Sequence, residues 1–132
     1  MAVTSNDLLH QARDLPLVPP EVRRRTLASK AYYASYHRCL DWERSLPARG
    51  GPKKRRGGVH QRLILRLQTP DSTCTGDQVR LSRWLGDSLD ELRKLRVKAD
   101  YKLAEDLSRR ELRSQVTLAQ ALFDCCDGRR KP

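Results

Sequence analysis

Glycine is scarce, 7 in 132 residues, and the chain holds neither a GxxxxGK[ST] run nor a GxGxxG run. A phosphate-cradling loop or a dinucleotide-binding turn therefore has no sequence to build it. Long apolar runs are absent as well. No uncharged stretch approaches the ~18 residues of a membrane-spanning helix, and mean hydropathy is −0.74. The opening residues MAVTSNDLLHQARD carry an acid early and no apolar core, so no secretory signal is expected. Strand signals are missing: period-two alternation is not sustained, and β-branched and aromatic residues are few outside one cluster. The four cysteines, Cys39, Cys74, Cys125 and Cys126, make no CxxC, and adjacent cysteines rarely satisfy disulfide geometry. Free thiols in a reducing, cytoplasmic compartment are the expectation. His10, His37 and His60 lie far apart and form no HExxH, so no metal or other cofactor is implied.

What is there reads as helix, in one domain of residues 1–128 with a basic tail at 129–132. A short helix is expected where Thr4, Ser5 or Asn6 can cap and Leu8, Leu9 and Ala12 give a small apolar face, ending before Pro16. A second starts at Pro19–Pro20, with Glu21 at the positive end of its dipole, and runs to about Leu46. Residues 47–58, PARGGPKKRRGG, read as a loop. Val59–Gln68 is a third helix. A fourth spans Gly76 to Leu107, with Leu81, Leu85, Leu89, Leu92, Ala99, Leu103 and Leu107 as its stripe. A fifth opens on Ser108-Arg-Arg-Glu111, a capping box, and presents Leu112, Val116, Ala119 and Phe123. The tail CDGRRKP is expected to fray. The fold class is all-α, an up-and-down bundle of four to five helices.

One residue interrupts the fourth stripe. Arg96 sits four after Leu92 and three before Ala99. Burying its charge unpaired would cost several kcal/mol, and Asp100 at i+4 is the local partner. Two readings stand: the guanidinium snorkels to solvent with no further role, or it lines a polar cleft and meets a phosphate with its bidentate fork. The second concentration of chemistry is residues 31–37, where three of the four tyrosines fall within five residues. Tyr32 lies on the apolar side. Tyr33, Tyr36 and His37 are expected to face a cleft or a partner chain.

Acid is missing from residue 44 to residue 70. The same stretch carries Arg49, Lys53, Lys54, Arg55, Arg56, Arg62 and Arg66, together with His60, in a chain of net charge +11 and pI about 10.1. Such single-sign density suits phosphate contacts and counterion release, so RNA or another nucleic acid is the expected partner. A polyanionic protein or a membrane surface would use the same charges, and a solvated loop is the plainer alternative. Nothing in the sequence reads bases.

The stretch Ser29-Lys30-Ala31-Tyr32-Tyr33-Ala34-Ser35-Tyr36-His37 resembles the "S-x-A-Y-Y-A-x-[FY]-H" second helix of small prokaryotic HEPN-domain proteins. Leu92-Arg93-Lys94-Leu95-Arg96-Val97-Lys98-Ala99-Asp100-Tyr101 is similar to their "L-x-x-x-R-x-x-A-D-Y" fourth helix, and Gly58-Val59-His60 loosely resembles the approach to the third. The resemblance covers roughly residues 20–125. It implies a HEPN-like bundle, a homodimer, and a toxin–antitoxin or antiphage role. A nucleotidyltransferase or an antitoxin is the implied protein partner. Many such proteins are metal-independent ribonucleases whose motif is Arg, four to six residues, then His. Arg96 matches the Arg, but Tyr101, Lys102 and Leu103 stand where the His is expected. The candidate catalytic set is therefore Arg96, Asp100, Tyr101 and His37, with His60 the other histidine able to move a proton. Tyr101 is a poor base at neutral pH, and an ideal wheel points it away from the Arg96 face. The expected nucleic-acid contacts are Arg49, Lys53, Lys54, Arg55, Arg56 and Arg62.

Overall fold

A computed structural model of the chain describes residue 5, residues 19–52 and residues 57–132. The short N-terminal helix (Ser5 apart) and the run Lys53, Lys54, Arg55 and Arg56 lie outside the described residues. Among those described, four helices and no strand are present: α1 (Pro20–Glu43), α2 (Val59–Gln68), α3 (Gly76–Tyr101) and α4 (Arg109–Cys126). No helix among them is long and apolar enough to cross a membrane.

Local chemistry sets the ends. Pro20 occupies the first turn of α1, where its missing N–H costs nothing. The helix stops at Glu43, short of the expected Leu46, because the Ser45 N–H and hydroxyl both take the Trp42 carbonyl, at 2.9 and 2.6 Å. Reciprocal capping boxes start α3 (Thr75 with Gln78) and α4 (Ser108 with Glu111).

The expected continuation of α3 to Leu107 is overturned. The helix ends at Tyr101 because the Arg25 guanidinium donates to the carbonyls of Lys98 and Ala99, each at 3.1 Å, and to those of Lys102, Leu103 and Glu105 beyond. Helix-terminal carbonyls have no intrahelical partner, and a cation from a neighbouring helix supplies one here. Leu103 is left 72% exposed, whereas the chain turns back and buries Leu107 against Ala28 and Ala99.

The tail is not frayed at its root. Gly128 takes φ +74°, its N–H bonds Cys125 O at 3.2 Å, and the Arg129 N–H bonds Asp124 O at 2.9 Å. These are the two bonds of a Schellman motif, which needs a left-handed residue at Gly128. Asp127 is also tied to Arg38 of α1 at 2.8 Å.

Cross-helix pairs fix the directions. Tyr33–Arg96 and Arg25–Ala99 run α1 against α3, while Ala28–Gln115 and Arg38–Asp127 run α1 with α4. Tyr32–His60 and Glu43–Arg66 run α1 with α2. Consecutive α1 and α2 are thus parallel, a departure from strict up-and-down order. The connection from residue 44 to residue 58 is long enough to return the chain before α2 begins. The core lies where α1 and α3 face each other, between Tyr32, Cys39, Leu63, Leu67, Leu85, Leu89, Leu92 and Leu122. Gly86 lets α2 approach α3: a Cβ there would stand 2.8 Å from Gln68 Cγ and 3.1 Å from both the Gln68 nitrogen and Leu67 Cβ.

Candidate nucleic-acid interface

The middle of α1, the start of α2 and the last third of α3 bring their polar residues to one place. Arg96 Nη2 donates to the Tyr33 hydroxyl at 2.6 Å. Its Cζ lies 5.1 Å from the Tyr33 ring centroid, 5.4 Å from that of Tyr101 and 5.8 Å from that of Tyr32. A guanidinium among three aromatic faces gains cation–π attraction that water would otherwise dilute. Asp100 Oδ2 is 3.0 Å from Arg96 Nε and also accepts from the Ser29 hydroxyl at 3.1 Å. The carboxylate lies off the Nε–H direction. It neutralises charge, yet the buried Nε–H has no hydrogen-bond partner among the described residues. The same is true of Arg93 Nε–H, one turn earlier on α3.

His60 completes the cluster from α2. Its Nδ1 is 2.8 Å from the Tyr32 hydroxyl, and its ring lies 4.4 Å from Tyr36, 5.4 Å from Tyr32 and 5.8 Å from Tyr33. Partial burial holds its pKa below the ordinary imidazole value, and the Arg96 and Arg93 charges push the same way. Burial drives the Tyr32 hydroxyl well above the usual phenol range and raises Tyr36. Both stay protonated, Tyr32 with its hydroxyl in the bond to His60.

Several expectations change. Tyr36 is buried in the core rather than facing a cleft. Tyr101 is 67% exposed but turns its ring toward Arg96, against the ideal-wheel expectation, at the last position of α3. His37 is exposed and packs edge-on against Tyr36 at 5.3 Å, so His60, and not His37, shares the Arg96 cluster. Arg93 was missed, although Arg93-x-x-Arg96 places two guanidinium groups one turn apart on α3.

The basic stretch is divided. Arg66 makes a two-pronged contact with Glu43 at 2.8 and 3.0 Å, and Glu43 is 4% exposed. Arg49 reaches the same carboxylate at 4.0 Å. The charge of Arg66 is therefore largely spent inside the fold, whereas Arg49 stays exposed. Arg62 makes no hydrogen bond or ion pair with another described residue, and its charge acts on Tyr36. Lys53, Lys54, Arg55 and Arg56 lie outside the described residues, but the next residue, Gly57, lines a cleft of about 340 Å³ with Gln61, Asp90 and Arg93. Among the described residues no group of three His, Cys, Asp or Glu could hold a metal ion.

No protein-family model, curated protein or solved structure matches the chain. The class that the fold defines is a helical bundle with a guanidinium–tyrosine–histidine cluster between three of its helices.

Proposed function

We propose that the protein is a HEPN-like module that binds RNA or another single-stranded nucleic acid by its phosphates, at Arg93, Arg96 and His60. The observation that carries this reading is the pair of buried Nε–H groups without hydrogen-bond partners. Buried donors are nearly always paired, and an anionic oxygen is the partner a guanidinium takes best. Gly57, the residue that follows the KKRR run in the sequence, lines the same cleft as Arg93, which supports adding the charges of that run to the same field. The HEPN resemblance adds a homodimer, a cytoplasmic setting, a toxin–antitoxin or antiphage role, and a nucleotidyltransferase or antitoxin as protein partner.

The test is fluorescence anisotropy with a labelled single-stranded RNA. Replacing Arg93 and Arg96 together by Ala should weaken binding at least about tenfold, the scale of two charge-assisted bonds. An unchanged affinity rejects the site.

A second reading is favoured by His60. With its proton on Nδ1, donated to Tyr32, the free Nε2 can take the proton of a ribose 2′-hydroxyl. The 2′-oxygen then attacks phosphorus, the bond to the 5′-oxygen breaks, and that oxygen recovers a proton from the imidazolium. Arg96 would hold the charge that grows on the phosphate. Cleavage of labelled total RNA in EDTA, lost in both His60→Ala and Arg96→Ala, supports it. Cleavage that survives His60→Ala removes it.

A further inference from the structure

The N-terminal end of α1 carries charge that the fold uses only in part: Arg24 donates to the Leu107 carbonyl and Arg25 caps α3. Arg23, Arg24 and Arg25 fall at the start of α1, and Arg109 and Arg110 open α4. Because these helices run parallel, their positive dipole ends point the same way, and cations there are electrostatically misplaced. Glu21 answers Arg24 and Arg25. Arg23, Arg109 and Arg113 make no hydrogen bond or ion pair with another described residue.

Between these helices lies a cleft of about 600 Å³. Its size is that of a small-molecule site, roughly 300–1,000 Å³. Leu27, Leu112 and Val116 form an apolar floor, Arg23, Arg24, Arg109 and Arg113 rim it, and among the described residues no carboxylate or aromatic ring lines it. The floor offers nothing for a nucleobase to stack on, which separates this cleft from the tyrosine cluster. A small inorganic anion would leave the floor wet, and a neutral alkyl chain would leave the rim unanswered. We propose that the cleft binds an anionic amphiphile, with an alkyl chain on Leu27, Leu112 and Val116 and an acid head on Arg109 and Arg113. One helical turn separates the two arginines, and each fork suits a carboxylate or a phosphate monoester.

Isothermal titration calorimetry on the full chain decides it, with sodium decanoate, decyl phosphate, acetate and inorganic phosphate as probes. One of the decyl compounds should saturate a single site at concentrations where acetate and inorganic phosphate do not, and the tighter of the two identifies the head group. Replacing Arg109 and Arg113 together by Glu should weaken that binding about tenfold or more. These side chains are exposed, so helix content by circular dichroism should hold. Val116→Asp should also abolish it, and Arg96→Ala should bind the decyl probe as the parent does. Decyl probes that bind no better than their short counterparts, or an affinity indifferent to the arginine reversal, would overturn the proposal.

Discussion

Arg96 lies on the buried side of α3 without a dry partner of its own strength: Asp100 offers charge from 3.0 Å and Tyr33 a hydroxyl from 2.6 Å. Its field reaches His60, whose pKa burial lowers first and the arginines lower further. Arg96→Ala should therefore raise the His60 pKa back toward its ordinary value, followed by the imidazole ¹⁵N shifts across a pH titration. The linkage has a definite sign. A histidine depressed in the fold binds its proton more weakly there than in the unfolded chain. As pH falls through the ordinary value near 6.5 the unfolded state gains the proton first, so His60 subtracts stability until the folded-state pKa is passed. The slope between about pH 7 and 5 should be shallower for His60→Gln, read from denaturant midpoints. Glu43 is the other decisive residue. With Arg66 and Glu43 both withdrawn from water, Glu43→Ala leaves a buried guanidinium unanswered and should cost about 3–5 kcal/mol in urea unfolding. Replacing both by Leu and Met should cost less than the single change, since no lone charge then remains.

At the scale of the helices, the start signals were legible in the sequence and two of the stops were not, those of α1 and α3. Ser108 with Glu111 declares α4 from four letters, because a capping box is a contact between near neighbours. The expected third helix, Val59–Gln68, has the observed bounds of α2, although its apolar spacing reads as only loosely amphipathic. The end of α3 was hidden, since nothing within residues 101–107 breaks a helix; the cause is Arg25, more than seventy residues away. For the same reason an ideal wheel puts Tyr101 on the wrong side, its position being set by a terminal turn that such a wheel does not describe. The site divides in the same way. Arg96 with Asp100 is a local pair and could be read. His60 beside Tyr32 depends on how a fifteen-residue connection returns the chain, and spacing carries no record of that. If Arg25 is the stop, Arg25→Ala should let the last turn of α3 fray. Hydrogen exchange should then quicken from residue 98 to residue 103, with a stability loss of about 1–3 kcal/mol from the orphaned carbonyls.

Over the whole molecule nine acids make internal ion pairs among the described residues: Glu21, Asp41, Glu43, Asp77, Asp90, Glu91, Asp100, Glu111 and Asp127. Pairing cancels positive against negative charge in equal measure, so the excess of +11 remains after it. Two kinds of cation should act differently on a bound RNA. Lys53, Lys54, Arg55 and Arg56 follow one another in the sequence between Pro52 and Gly57, so their contribution should be long-range attraction and counterion release. Arg93 and Arg96 are half-buried beside the tyrosines, where charge-assisted hydrogen bonds to a phosphate are screened much less by salt. Deleting residues 53–56 should then flatten the plot of log affinity against log salt by up to about 3, near 0.7 for each single-strand phosphate that is no longer neutralised. Affinity at high salt should hardly move. Arg93→Ala with Arg96→Ala should do the reverse, lowering affinity at every salt concentration while changing the slope by little more than about 1. If both variants shift the slope alike and neither shifts the high-salt limit, the tyrosine cluster is not where the phosphate sits.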